Sequence, residues 1–293
     1  MSVTPKVVSQ SYGKSQVRVS RIHREGKRHE FIEVTVWIEL DGQFETSYSE
    51  ADNSLVVPTD TMKNTVYVLA ARHGIKSIEV FAEHLGQHFL ATYAHVNHAL
   101  LRCEQTIWSR MLLNGKPHDH SFIGGGSEHN TCQISAIRTT GGAKLELQSG
   151  IAGLQVLKTT ESGFVNYLRD AYTTLQPTED RIFATAVAAN WPCHEVDADW
   201  TKARQTIRAA LLDVFANQYS KSVQQTLFEM ARSAFAACSL IDEITIRMPN
   251  QHHLLVNIAP FGMQNANEVF VPTSEPFGNI SATIARGDTQ SKT

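Results

Sequence analysis

Residues 56–70 read VVPTDTMKNTVYVLA. Pro58 stops an apolar, strand-like run, and a helical pattern follows it. Thr59 or Asp60 caps that helix in this reading. A helix entrance presents N–H groups without acceptors at the positive end of the macrodipole, so the same place suits an anion. Thr61, Asn64 and Thr65 read as ordinary helix-start polarity; a role for Lys63 stays open. A second concentration of chemistry is His118-Asp119-His120, where alternate histidines share one strand face. No third ligand is evident beside them, and Cys103, Cys132, Cys193 and Cys238 lack ligand spacing, so no metal is expected. The pair reads instead as a polar contact between chains or as support for a neighbouring site. Gly124, Gly125 and Gly126 lack the Lys-Ser/Thr that completes a phosphate loop and read as a flexible hairpin tip. Residues 249–253, PNQHH, read by themselves as a polar turn between strands.

The totals narrow the partners. The chain has 293 residues with a formal net charge of -3, and no polybasic stretch interrupts it, which argues against nucleic acid and anionic membrane. No apolar run is long enough to span a bilayer, and the N-terminus has no apolar signal core. The last residues, QSKT, are not the peroxisomal SKL address. Cysteines outside any CxxC pair read as buried free thiols in a reducing compartment, so a cytoplasmic location is expected.

The elements that must position these residues follow from periodicity. Residues 14–22 and 31–40 alternate and read as a long antiparallel pair. Residues 59–72 read as a helix, and 78–94 as a longer amphipathic one with Val80, Phe81, Leu85, His88, Phe89 and Thr92 on one stripe. Strand-like runs follow at 98–113 and 121–138. The order then repeats: alternating runs over 143–158 broken by Gly150 and Gly153, a strand over 181–188, helices over 200–217 and 222–238, and strands over 243–248 and 253–258. The chain thus reads as two copies of β-β-α-α-β-β, residues 1–140 and 141–293, joined near Gly141-Gly142. That is an α+β layout of antiparallel sheet with helices on one face.

Residues 154–181, LQVLKTTESGFVNYLRDAYTTLQPTEDR, carry the pattern L-x-V-L-K-T-T-x-S-x-F, then Tyr167, Tyr172, Leu175 and Arg181. This closely resembles the signature of the urate oxidase (uricase) family. YGK at 12–14, TDTMKNT at 59–65, GKPHDHSF at 115–122, SVQ at 222–224 and PNQHH at 249–253 match the same family in the same order. The resemblance implies two tandem tunnelling-fold (T-fold) domains per chain and a homotetrameric barrel with active sites at chain interfaces. It also implies oxidation of urate by dioxygen to 5-hydroxyisourate and hydrogen peroxide, without metal or organic cofactor.

Carried over by position, Arg181 and Gln224 grip the purine, Phe164 stacks on it and Val223 lines the pocket. Thr59 and Asp60 sit beside it, Asn250 lies over its plane at the dioxygen position, and Lys14, Thr59 and His252 form one proton relay. These residue types suit the task. Urate is a flat acid that wants a planar cationic fork, an amide that both donates and accepts, and an apolar face. A relay needs groups that change protonation near neutral pH, as histidine does and lysine can when its surroundings lower its pKa. Strand alternation would place Asn250 and His252 on one face and His253 on the other. Two other classes remain at this point: a zinc-dependent pterin or purine enzyme of the same fold, which needs a Cys/His ligand set, and a purine binder without turnover, which needs no relay.

Overall fold

The computed structural model describes residues 5–195, 198–273 and 275–287. The chain forms two compact units, Met1–Gly150 with Pro192–Thr201, and Ile151–Trp191 with Lys202–Thr293. The first unit runs β1 (Tyr12–Glu25), β2 (Arg28–Gly42), the short α1 (Glu45–Ser49), α2 (Thr59–His73), α3 (Ile78–Thr92), β3 (Val96–Leu113), β4 (Lys116–Thr139) and the first part of β5 (Gly142–Lys158). Strands β1 to β4 lie side by side and antiparallel in chain order. On β2 the alternate residues Val34, Val36, Ile38 and Leu40 are buried, as a two-residue side-chain period requires. Helix α3 packs on β3 and β4, and α2 packs on β1 and α3. Gly86 lets α3 approach closely, because a methyl there would come within 3.0 Å of the Ala136 methyl. Phe81, Leu85 and Phe89 fill the interface and are fully enclosed, each worth about 1.5–3 kcal/mol of apolar burial.

The second unit continues β5 and adds β6 (Phe183–Cys193), α4 (Trp200–Asn217), α5 (Val223–Ala237), β7 (Glu243–Asn250), the short β8 (His253–Leu255) and β9 (Phe270–Pro272), and β10 (Gly278–Ala285). β7 pairs antiparallel with β6 on one side and β10 on the other. Helix α5 packs on β7 and β10, burying Leu227, Met230, Ala231 and Ala234 against Ile244, Ile246 and Met248.

The internal repeat is visible in detail. Helix α5 begins and ends 145 positions after α3 (78 to 223, 92 to 237). Each is capped by a serine, Ser77 or Ser222, whose hydroxyl accepts from the N–H three residues on. Each is closed by one arginine from later in the chain, Arg138 on β4 and Arg286 directly after β10. Arg138 donates to the carbonyls of Leu90, Tyr93 and Val96. Arg286 donates to those of Phe235, Cys238 and Ile241 at 2.9, 3.0 and 2.9 Å. Leu90 and Phe235 lie in the last helical turn, Tyr93 and Cys238 are the C-caps, and Val96 and Ile241 follow the helix; a cation at this end also complements the macrodipole.

Several local expectations change. The buried face of α3 runs through Ile78, Phe81, Ala82, Leu85 and Phe89, with Val80 and His88 only half-buried and Thr92 exposed. The stripe was placed too far round the helix because Val80 and His88 flank the true face. Gly124, Gly125 and Gly126 are not a hairpin tip. They lie inside β4, where the register with β3 shifts between Thr106 and Trp108, and the β3–β4 turn is Asn114-Gly115. There, Ile107 crowds Gly125, leaving an added methyl only 3.1 Å from its carbonyl oxygen. The strand expected over 253–258 is shorter and pairs with β9, while β7 takes β10 as its neighbour. β5 is one continuous strand through Gly150 and Gly153. The four cysteines are buried and none forms a disulfide; burial, helped by the Glu79 charge, pushes the Cys103 thiol far up, which makes it a poor nucleophile. Among the described residues no helix is long and apolar enough to cross a membrane. QSKT lies outside the described residues.

The twin arginines give a direct test. Arg138→Ala or Arg286→Ala removes charge-assisted hydrogen bonds to three part-buried carbonyls and is expected to cost about 1.5–3 kcal/mol, the worth of hydrogen bonds to a charged group. The lysine variants should recover only part of it, because an ammonium cannot fork across carbonyls three residues apart. Denaturant midpoints at constant m-value would check this; alanine variants matching the parent would show that water replaces the guanidinium.

Candidate active site

Lys14, Thr59 and Asp60 belong to the first unit. Lys14 sits opposite Ile38 on β1, immediately before an irregularity in the β1–β2 register and close to Gln16, whose φ of 57° is left-handed. Such a bulge re-aims a side chain out of the regular alternation. Gly13 has to be glycine, since a Cβ there would fall 1.7 Å from the Ile38 carbonyl oxygen. The approach to α2 is pinned to the same strand: the Tyr12 hydroxyl accepts from Val57 N–H at 2.7 Å and lies 3.2 Å from its carbonyl oxygen. The Tyr12 phenol is pushed up by burial, so it stays a neutral donor.

The N-cap of α2 is Pro58, with no side-chain capping bond. Neither Thr59 nor Asp60 caps the helix as expected: both already lie inside the first turn, and a capping oxygen must come from the residue before it. The Asp60 carboxylate bonds instead to Lys63, with Asn64 Nδ2 donating to its other oxygen at 3.0 Å. Lys63, through that bond and its charge, holds the Asp60 carboxyl below its usual range, and Lys14 adds to the effect. Lys14 and Asp60 are therefore electrostatic neighbours. Both carboxylate oxygens are occupied by the helix itself, so what Asp60 can offer a ligand is its first-turn N–H.

The second unit holds Phe164, Arg181, Val223, Gln224, Asn250 and His252. Phe164 sits in a segment fastened by main-chain bonds. Its N–H donates to Thr178 O at 2.7 Å and its carbonyl accepts from Thr178 N–H at 3.2 Å. Arg181 N–H donates to Ser162 O, and Gly163 N–H to Ser220 O, both at 2.8 Å. Gly163 is required there, because a Cβ would lie 2.3 Å from the Tyr219 hydroxyl and 3.0 Å from Thr178 O. Glu161 and Asn166, on either side, adopt left-handed φ values of 60° and 59°, a conformation non-glycine residues keep only where surroundings impose it.

The Arg181 guanidinium carbon is 5.5 Å from the Phe164 ring centroid. A guanidinium stacked squarely would be about 3.5–4 Å away; displaced sideways, it can meet the edge of a flat ligand lying on that ring. Its Nε is buried with no hydrogen-bond partner. Burial pulls the Arg181 pKa down, with Tyr219 opposing, but an arginine remains charged through such a shift. A buried donor without an acceptor costs stability.

Ser220 leads directly into α5. Ser222 caps the helix, which leaves the N–H groups of Val223 and Gln224 in the first turn without intrahelical acceptors. Val223 is buried and the Gln224 side chain is exposed. Asn250 is the last residue of β7, and Gln251 N–H donates to Ala184 O at 3.0 Å, near the start of β6 and three residues beyond Arg181. The strand therefore ends before His252, and the expected alternation from Asn250 to His252 does not extend that far. His252 is half-buried, its carbonyl accepting from Thr273 N–H at 2.9 Å. The His118 and His120 rings lie 4.6 Å apart, with His29 5.9 Å from His120. Among the described residues no group of three side chains is arranged to hold a metal ion.

A family model described as Uricase matches residues 10–135 and 147–281, which include every residue named for the site. The chain belongs to the uricase family. It is 41% identical over 275 residues to the uricase of Arthrobacter globiformis, covering 94% of this chain and 88% of that one. To the uricase of Aspergillus flavus it is 38% identical over 300 residues, covering 96% and 97%. The crystal structure of the Arthrobacter globiformis uricase superposes with a TM-score of 0.89 at 39% identity, covering 99% of this chain and 98% of that one. A uricase fold thus underlies both halves of the candidate site. The frame around it was not read from the sequence: Tyr12, Tyr219, Thr178 and Ser220 act through main-chain contacts at long separation. Only Gly163, a glycine directly before the aromatic residue, carried a local signal.

Gly163→Ala is expected to push Tyr219 off its bond to Glu179 O, 2.7 Å long here, and to cost about 1–3 kcal/mol as an overpacking change. A denaturant midpoint equal to the parent's would show that the Phe164 segment has room for a methyl.

Proposed function

We propose that the chain is a urate oxidase converting urate, dioxygen and water to 5-hydroxyisourate and hydrogen peroxide. One observation carries the reading beyond family membership: a buried, unsatisfied Arg181 Nε beside the face of Phe164, inside the segment that bears the family pattern. Arg181 offers a charged fork to one edge of the purine and Gln224 an amide to another, while Phe164 supplies the stacking face. Val223 walls the pocket and, with Asp60, presents first-turn N–H groups to an anion. Asn250 holds dioxygen over the purine plane. Lys14, Thr59 and His252 form the relay that takes protons from urate and delivers them to reduced dioxygen.

The electrons come from the substrate. Urate stripped of its protons is an electron-rich conjugated system, and the protein has to bind it, deprotonate it, exclude water and hold dioxygen against one face. No metal or organic cofactor is part of this proposal. The two copies of β-β-α-α-β-β, residues 1–140 and 141–293, are tandem T-fold domains in a homotetramer working in the reducing cytoplasm. The site is shared: Lys14, Thr59 and Asp60 come from one chain and Phe164, Arg181, Val223, Gln224, Asn250 and His252 from its neighbour.

Exhaustively chelated protein mixed with urate in air should remove the ultraviolet band of urate with equimolar peroxide; a protein inactive until metal is restored would sink the cofactor-free reaction. Arg181→Ala should weaken urate binding by about 2–5 kcal/mol, the usual cost of truncating one side of a desolvated charged contact, whereas Lys14→Met and Thr59→Ala should mainly slow turnover. Thr59→Ala and Arg181→Ala, each nearly inactive alone, should recover part of the parental rate when co-expressed, because a hybrid of two-fold related chains contains some sites without either lesion. Hybrids verified by differential tags that stay inactive would place the whole site within one chain.

A further inference from the structure

We infer that Tyr167 is a positioning residue for Phe164, backing its ring on the side away from the substrate. The two rings are parallel within 8°, with centroids 4.9 Å apart, so one face of Phe164 is already covered and a flat ligand has the other. Tyr167 is itself fixed. Its hydroxyl donates to Leu175 O at 2.6 Å, and Arg169 Nη1 donates to the same carbonyl at 3.2 Å and to the hydroxyl at 3.3 Å. The Arg169 guanidinium carbon also lies 5.7 Å from the Tyr167 ring centroid. Asn166, at its left-handed φ, turns the chain at the residue before it, a conformation asparagine tolerates better than most residues.

The contrast along the loop is sharp: Leu168 is 90% and Tyr172 91% exposed, whereas Tyr167 is folded back onto Phe164. A phenyl ring on a half-exposed loop samples several rotamers, and a ligand that stacks on it must first immobilise it. A parallel neighbour ordered by its own hydroxyl tether and by Arg169 removes that cost before the ligand arrives. The effect belongs to binding. Tyr167 touches no reacting atom, so its removal should act on affinity and leave the relay alone.

This rests on the proposed urate site, and the test separates the two. The full-length protein and its Tyr167→Leu, Tyr167→Phe and Arg169→Ala variants are compared for kcat and KM with urate and, without turnover, for Kd with xanthine, which has the same ring skeleton. A parent that binds xanthine but does not oxidise urate defeats the reaction while the Kd series still decides the role of Tyr167. Tyr167→Leu should raise KM and Kd about 3–10-fold, the worth of one aromatic pair, with kcat within about 2-fold. Tyr167→Phe, which keeps the ring, should recover most of the loss. Arg169→Ala, at an exposed position that folding tolerates, should raise both constants about 2-fold, and it decides the matter if Tyr167→Leu does not assemble. Unchanged KM and Kd in the variants, or a fall in kcat at constant KM, would overturn the inference.

Discussion

The hydrogen bonds between Gly163 N–H and Ser220 O and between Ser220 N–H and Glu161 O, 2.8 and 2.9 Å long, tie the Phe164 segment to the entrance of α5. Most of what the second unit can do depends on that tie. It brings a stacking ring, a guanidinium and the first turn of a helix into one place, though they are separated by up to sixty positions in the chain. It also explains the backbone around it. Left-handed Glu161 and Asn166 and an obligatory Gly163 are what the chain must adopt to pass close to Ser220 and Tyr219. Such strain, of order 1–3 kcal/mol per residue, persists only where surrounding bonds over-determine it.

The rigid parts of both units solve the same problem with the same device. A helix packed on a sheet must end, and its last carbonyls must find donors. In each unit one arginine from later in the chain, on or directly after a strand, reaches back to three carbonyls spaced three residues apart. The guanidinium does this because it is planar, multiply donating and charged at every relevant pH. In the second unit this fixes the far end of α5, while its first turn, with Val223 and Gln224, is held by the Ser222 cap and by the main-chain bonds of Ser220.

Charge is handled differently in the two halves of the site. Asp60 is neutralised within its own helix by Lys63 and Asn64, which leaves the main-chain N–H groups of α2 as its contribution. Arg181 forms no ion pair among the described residues and keeps a buried Nε without an acceptor. A cation held half-buried without a counter-ion is costly until an anion arrives.

The sequence by itself determined the elements and the chemistry on offer. Two-residue alternation on β1 and β2, apolar spacing on α2, α4 and α5, and the order of the family blocks all survive folding, because each depends on near neighbours in the chain. What only the tertiary structure decided are contacts between distant segments. Gly124, Gly125 and Gly126 look like a turn but lie inside β4, because the long β3 partner imposes a register that the glycines relieve. Residues 253–258 alternate like the next strand of the sheet, yet β10 competes more successfully for the edge of β7. Thr59 and Asp60 look like caps, but Tyr12 fixes Val57 and starts the helix one residue earlier than a side-chain cap allows. Tyr167 and Tyr172 are equivalent in the sequence pattern; one stacks on Phe164 and the other is exposed, because the folded loop brings Leu175 O and Arg169 to the hydroxyl of the first.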